Sequence, residues 1–554
     1  MSSPAAVPAT TSVAIVGAGP VGLALALGLA RHGVDSVVLE RANRLSEHSK
    51  AAGIHVRTRD ALRRWGIEQR FLDAGHLIDQ VTLTDVAADA RPLLHADLTR
   101  LDDEVDRPGL LLLEQSGTER LLLDALRESG RSDVVFDAEV TGLEQEGASA
   151  TLVYRRDGRS RTLDADWVVG CDGAGSFVRR ALGLSFDGST YRLRPVLADI
   201  AIDDHRDRLP WPRLHDRDGG LTVAVRFRPG RWRLIHLDPR DRSEVDAVTD
   251  AEVRRLTDLV LGPGGGEVVW SSRFHIHRRA SPRFRQGRVL LAGDAAHVHS
   301  PVGGQGMNAG VQDAFTLSWL LAGALADGDA ERLLGAYETE RRDVVVGDVS
   351  RFTDVVTRLF LLSPRRLRRT LFALQRLALR VPPLERAALR RLTMTDLRPS
   401  TSPLLPRSGR APGIRLPDPR VRTPEGRECR LSDLLPIGPV LLRVTGAPDG
   451  ARYGRGDRVA RVDRVDRVDR VDRVDRVDRV DRVDRVDREV ASGRSGTAVL
   501  HVGPGGHTDP SGRLRALLGG SDGWILVRPD NTVAWARPTS VGLAVAVAHA
   551  LGRG

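Results

Sequence analysis

The chain is expected to be α/β, built on a dinucleotide-binding core, and three glycine-marked segments predict that class. The first is TSVAIVGAGPVGLALALGLARHGVDSVVLER, residues 11–41, which reads as strand, tight turn, helix and strand. Gly17, Gly19 and Gly22 have the G-x-G-x-x-G spacing, which serves a tight turn, close approach to a pyrophosphate and close helix–strand packing. Glu40 ends the second apolar run, where a carboxylate can hold an adenosine ribose. The second segment is DWVVGCDGAGSFVRR, residues 166–180, an apolar strand ending in Asp172-Gly173 with a helix expected after it. The third is LLAGDAAHVHSPVGGQGMNAGVQDA, residues 290–314. There a strand end runs into Gly293-Asp294, then a Pro/Gly-rich loop, then a helix expected to start near Met307. Asp294 offers an acceptor for sugar-like hydroxyls. Gly303, Gly304 and Gly306 let backbone pass close to a flat ligand. Open N–H groups around Met307 and Asn308 favour a neighbouring negative charge.

The glycine fingerprint alone does not separate NAD from FAD. In this order, however, the three motifs resemble the single-component flavin-dependent aromatic monooxygenases, the class that includes p-hydroxybenzoate hydroxylase, over roughly residues 13–322. The resemblance implies a Rossmann-type FAD-binding domain over 11–190 and 274–397, with an inserted antiparallel-sheet substrate domain over 191–273. It implies that Gly17, Gly19, Pro20, Gly22, Glu40 and Arg41 hold the ADP half of FAD. Asp172 and Gly173 would serve both FAD and the passing nicotinamide, and Gly293 with Asp294 the ribityl–phosphate region. Pro301 would lie beside the flavin ring, with N–H groups from Gly306 to Asn308 at its anionic edge. LLEQSGTERLL resembles a helix start whose glutamine contacts the FAD chain, which brings Gln115 to the flavin. In SKAAGI the family's basic residue, often an arginine, falls on Lys50, the one lysine of the chain. Lysine keeps the point charge and loses the bidentate fork.

The chemistry implied is reduction of FAD by NADPH or NADH, reaction with O2 to a C4a-hydroperoxide, and oxygen transfer to an electron-rich ring. The cofactor carries that chemistry, and the protein positions it and excludes water. A polycyclic polyketide is the first choice of substrate. A simple phenol is the alternative, as is a FAD-dependent dehydrogenase or reductase that inserts no oxygen. A flavin halogenase is disfavoured because no W-x-W-x-I-P segment occurs, and intact motifs at three separated sites argue against a silent flavoprotein. No residue is singled out as a catalytic base.

Composition narrows the partners. The 554 residues provide for a buried core and two or three domains. The net charge of +10 comes from 83 basic residues spread among 73 acidic ones, and aromatics are only 4%, so no basic stripe interleaved with aromatics points to nucleic acid. The two cysteines, Cys171 and Cys429, form no C-x-x-C, so neither a disulfide framework nor a zinc site is indicated. His297 and His299 lack further ligand spacing and read as structural. No metal is expected. A cytoplasmic enzyme is expected, without leader or membrane span, and a homodimer is compatible with the sequence.

The remaining segments show different patterns. LRPVLADIAID, LTVAVRFRPG and RWRLIHLD alternate apolar and polar residues as antiparallel strands do. Leu367, Leu371, Leu374, Ala378 and Val381 recur at helical spacing between arginines; packing on the flavin domain is preferred over a membrane-surface role. A Pro-rich linker is expected over 398–419. Beyond it, APGIRLPDPRVRTPEGRECRLSDLL and DGWILVRPDNTVAWAR resemble the C-terminal thioredoxin-like domain of the phenol hydroxylase and aromatic polyketide hydroxylase branch, expected over 420–554. Nine Val-Asp-Arg triplets over 462–488 interrupt it. A three-residue period drifts around a 3.6-residue helix, so its valines form no straight apolar face. The tract reads as a surface insert of slippage origin.

Overall fold

Five parallel strands form the centre of the first sheet, in the order Val289–Leu291, Arg159–Gly170, β1 (Thr10–Val16), β2 (Ser36–Leu39) and Ser132–Val135. The computed structural model describes residues 7–46, 52–87, 91–217, 220–238, 240, 247–326, 328–405, 412–446, 497–503, 506–538 and 543–552. Lys50 and the 462–488 triplets lie outside the described residues. The chain divides into two units, Met1–Pro403 and Leu404–Gly554.

Register decides what the first sheet presents. Val16 pairs with Leu39 and with Gly170, and Gly170 pairs with Leu291. Four strands therefore end level, and Gly17, Glu40, Cys171 and Ala292 leave the sheet side by side at its carboxyl edge. Ligands of open α/β sheets bind at that edge. The helix α1 (Pro20–Arg31) is buried from Gly22 to Ala30, as expected for a helix apolar on all sides. It packs on the helix Gln305–Leu325 through glycines: a Cβ on Gly28 would lie 2.7 Å from Ser318, and one on Gly310 would lie 2.5 Å from Val21.

A second sheet of seven strands has the order Glu267–Arg273, Val196–Ala201, Arg231–Leu237, Gly220–Arg228, Arg213–Arg217, Gln80–Asp85 and Arg91–Asp97. The alternating segments form antiparallel strands, and the sheet also takes in two strands from residues 80–97, through a short parallel pairing of Arg213 with Thr84. Its outer face is sealed by the helix Asp250–Leu261, whose Val253, Leu256 and Val260 pack on Val196, Ala198, Trp232 and Leu234. The strand alternation turns Val223 and Ile235 to the other face, where they join Leu214, Leu221 and Phe372.

One expectation fails in the helical tail. The helix Arg365–Ala378 buries only Arg368 and Phe372. Leu367, Leu374 and Val381 face solvent, because Arg368 is the residue drawn inward, forked onto the buried Asp216 at 2.7 and 2.9 Å.

The second unit holds a four-stranded sheet ordered Ala498–Val502, Val440–Val444, Gly523–Val527 and Val533–Arg537. The first pair is parallel and the others antiparallel. Leu514 and Leu518 pack on one face, and Ala546, Val547 and Ala550 on the other.

Candidate cofactor site

Each motif is shaped by hydrogen bonds across the carboxyl edge. The Gly17 N–H donates to the Leu39 carbonyl at 2.8 Å, and the Cys171 N–H donates to that of Val16 at 2.8 Å. Gly17 has a φ of 106°, and a Cβ there would lie 2.6 Å from the Cys171 carbonyl. That turn therefore requires glycine. Glu40 accepts from the backbone N–H of Ala18 at 2.7 Å and of Ala42 at 2.9 Å, which fixes its carboxylate beside the glycine turn. Arg41 follows it, exposed.

Gln115 begins the helix Gln115–Ser129 and donates to Glu119 at 2.9 Å. Burial pushes the Glu119 carboxyl up; the Gln115 hydrogen bond opposes this and the charge of Glu40 adds to it. Glu119 was not read from the sequence.

Asp172 turns its carboxylate toward protein. It accepts from the Ser176 hydroxyl at 2.5 Å and the Val178 N–H at 3.1 Å, holding the start of the short helix Phe177–Ala181. Each oxygen accepts one such bond and keeps further acceptor capacity. Gly173 beside it has a φ of 78° and open space where a Cβ would point. Arg179 then joins two of the motifs. Its guanidinium donates to the Ala174 carbonyl and to that of Ala295, both at 2.8 Å, and stacks over Phe186.

The third motif rests on a buried network. Asp313 has no solvent exposure; it accepts from the Gly293 N–H at 3.0 Å, from His297 Nε2 at 2.6 Å and from Arg341 Nε at 2.7 Å. Burial would raise its carboxyl, but the charges and hydrogen bonds of His297 and Arg341 outweigh that and hold it below the usual carboxylate range. His297 is structural, in agreement with its sequence reading. Tyr337 adds a bond to the Leu291 carbonyl at 2.8 Å. Asp294, one residue past Gly293, is thereby held exposed at the strand end.

The helix after the loop begins at Gln305, two residues before the expected start. Gly303 and Gly304, with φ of 79° and 65°, complete the loop turn and leave Gln305 in helical geometry. No side chain caps the helix, so its open first-turn N–H groups are those of Gln305, Gly306 and Met307. Asn308 follows these open N–H groups, with its side chain engaged by protein. It is fully buried and accepts from the His55 N–H at 2.9 Å while donating to the carbonyls of Gly53 and Gly304, both at 2.8 Å. It shapes the site through protein contacts. Pro301 lies exposed in the same loop.

His55 completes the clamp by donating from Nε2 to the Gly303 carbonyl at 2.8 Å. Burial pushes its imidazole down to about 4, against the opposing pull of the Gly303, Leu392 and Gly304 carbonyls. The folded protein thus holds His55 neutral, while the unfolded chain takes up a proton below about pH 6.5. Stability should therefore fall as pH drops from 6.5 toward 4, by about 2 kcal/mol near pH 5 from this residue alone. Urea unfolding midpoints for the parent and for His55→Gln, which keeps a donor and does not titrate, check this: the parent should lose more between pH 7 and pH 5.

The geometry accommodates FAD. A Cβ added at Gly19, Gly173 or Gly306 meets no protein atom within 4 Å, so each leaves open space beside the backbone. At Gly17 and Gly22 a Cβ would strike backbone, so those glycines serve packing. An acid at the end of β2, a glycine turn and an uncapped helix start together suit a dinucleotide cofactor.

The chain belongs to the FAD binding domain family, whose model matches residues 10–351. An uncharacterized aromatic compound monooxygenase, YhjG, of Bacillus subtilis (strain 168) is 34% identical over 444 residues, 77% of this chain and 84% of that one. The 6-methylpretetramide 4-monooxygenase of Streptomyces rimosus is 34% identical over 336 residues, 59% of this chain and 58% of that one. Among solved structures, OxyS anhydrotetracycline hydroxylase from Streptomyces rimosus aligns with a TM-score of 0.75 and 29% identity, over 98% of this chain and 99% of that one. A ternary complex of aklavinone-11 hydroxylase with FAD and aklavinone aligns at 0.75 and 25% identity, over the same 98% and 99%. The protein is a FAD-dependent monooxygenase of the aromatic hydroxylase type.

Proposed function

We propose that the protein hydroxylates a polycyclic aromatic polyketide, with NADPH or NADH as reductant and O2 as the oxygen source. The observation that carries the substrate class is the inner face of the second sheet. There Leu83, Val223, Ile235, Phe274, Phe360 and Tyr191 stand only partly buried around a core of Leu214, Leu221, Ile276 and Phe372. A multi-ring ligand would need an apolar wall of this kind. Relatives named for 6-methylpretetramide, anhydrotetracycline and aklavinone support the same reading.

Bound FAD would supply oxygen activation. Glu40 would hold the adenosine ribose, beside the open turn at Gly17, Gly19, Pro20 and Gly22. Arg41 and Gln115 would flank that half. The Gly293-Asp294 turn would hold the ribityl chain, and the N–H groups of Gln305, Gly306 and Met307 would favour negative charge at the ring. Pro301 would border the ring and exclude water. Asp172 and Gly173 would serve both FAD and the passing nicotinamide, with Asp172 also holding the turn. The second unit would be a thioredoxin-like domain without dithiol chemistry. The enzyme would act in the cytoplasm on small molecules.

Two measurements test this. Replacing Asp294 with alanine should weaken FAD binding roughly ten- to hundredfold, since a charged acceptor is worth about 1.5–3 kcal/mol. Full FAD occupancy after gel filtration would remove Asp294 from the site. NAD(P)H oxidation and oxygen uptake should be stimulated more by polycyclic phenols than by phenol itself. Equal stimulation would sink the polyketide reading.

A further inference from the structure

We propose that the outward face of the helix Arg365–Ala378 docks on an anionic lipid surface. The inference is independent of the substrate reading. The helix is held inward by Arg368 and Phe372 alone. At 100° per residue, Leu367, Leu374 and Leu377 fall on the opposite side, and they are 47, 58 and 60% exposed. Val381 and Leu384 after the helix, and Leu359 and Leu362 before it, are exposed as well. Single exposed leucines are ordinary, but seven exposed large apolar residues within residues 359–384 are not.

Charge selects the occupant. Residues 355–392 contain ten arginines and one acid, Glu385. Arg368, Arg386, Arg390 and Arg391 are bound to carboxylates of their own unit, and Arg369 reaches Asp85 at 3.7 Å. Arg366, Arg376 and Arg380 are exposed and have no carboxylate partner among the described residues. At 100° per residue Arg366 and Arg376 fall on one flank of Leu374 and Leu377, and Arg380 follows the helix end. Leucines immersed in a headgroup boundary, with arginines beside them at the level of anionic phosphates, satisfy both features at once. A second copy paired antiparallel through this face would set arginine flank against arginine flank. Nucleic acid would leave the leucines unpartnered. No helix among the described residues is long and apolar enough to cross a membrane, so the contact would lie in the interface plane.

The test is flotation of the full-length, FAD-loaded protein with vesicles of phosphatidylglycerol and, separately, of phosphatidylcholine. The protein should float with the anionic vesicles, and added salt should weaken that binding. The double variant Leu374→Glu/Leu377→Glu should cut the bound fraction roughly tenfold, and Arg366→Glu/Arg376→Glu/Arg380→Glu should do the same by the charge route alone. Both should keep parental FAD content and lipid-free turnover, which separates loss of docking from misfolding. Failure to float with phosphatidylglycerol, or equal flotation with both lipids, would overturn the proposal. So would a leucine variant that changes the sedimentation-derived oligomeric state and leaves flotation intact, since the stripe would then be an interface between copies.

Discussion

Replacing Asp313 with alanine is expected to destabilise the first unit by about 3–5 kcal/mol and to release most of its FAD. The size follows from what is left behind. Asp313 is completely buried, and its removal strands the buried Arg341 guanidinium and leaves the Gly293 N–H and His297 Nε2 without their acceptor. Breaking a buried pair by deleting one partner costs that much because the other charge stays in low dielectric. It is a large share of the 5–15 kcal/mol that holds a typical domain folded. The loss of FAD has a separate cause. The same carboxylate holds the turn that presents Asp294. Urea titration with flavin fluorescence reads both effects. Asp313→Asn, with the same shape and one neutral acceptor, should fall between alanine and the parent. Parental stability in Asp313→Ala would show that the network does not support this loop.

The second large effect contrasts two glycines of one motif. Gly22→Ala drives a methyl into the Gly17 carbonyl, a backbone atom that cannot rotate away. The helix α1 must then lift from the sheet, and both stability and FAD should be lost. Gly19→Ala meets no protein atom within 4 Å, so the apoprotein should fold as well as the parent. Its methyl enters the space needed for close approach to a pyrophosphate, so FAD affinity should fall. Equal FAD affinity in Gly19→Ala and the parent would show that no phosphate passes there. Parental thermal stability in Gly22→Ala would contradict the packing role.

Much of the cofactor site is legible in the sequence because its parts are backbone devices with fixed spacing. The glycine turn, the acid ending β2 and the Gly-Asp pair ending a strand are local patterns. Level strand ends bring them together. What the sequence hides is the set of long-range partners. Arg179, Arg341 and Glu119 lie in ordinary helical contexts, and nothing local marks them as bonded to Ala295, Asp313 or Gln115. Asp313 did leave a signal: it is the one charge in the apolar run from Ala309 to Leu321, and an acid in such a run requires a buried partner. The helix starts two residues before the expected Met307 because Gly303 and Gly304 together supply two left-handed residues, which end the loop there. The leucine stripe misled for a different reason. Helical spacing identifies an apolar face, and the buried fork of Arg368 on Asp216 decides which way it turns.

The central claim is that this flavoprotein inserts an atom of dioxygen into an aromatic ring. The most direct measurement supplies isotopically labelled O2 to the FAD-loaded enzyme with NAD(P)H and a polycyclic phenol that stimulates oxidation. Mass spectrometry of the product should show one labelled oxygen, bonded to carbon of the ring. Reductant consumed with no label in the aromatic product, and all of it in hydrogen peroxide or water, would contradict the account and leave a FAD-dependent oxidase or reductase in its place.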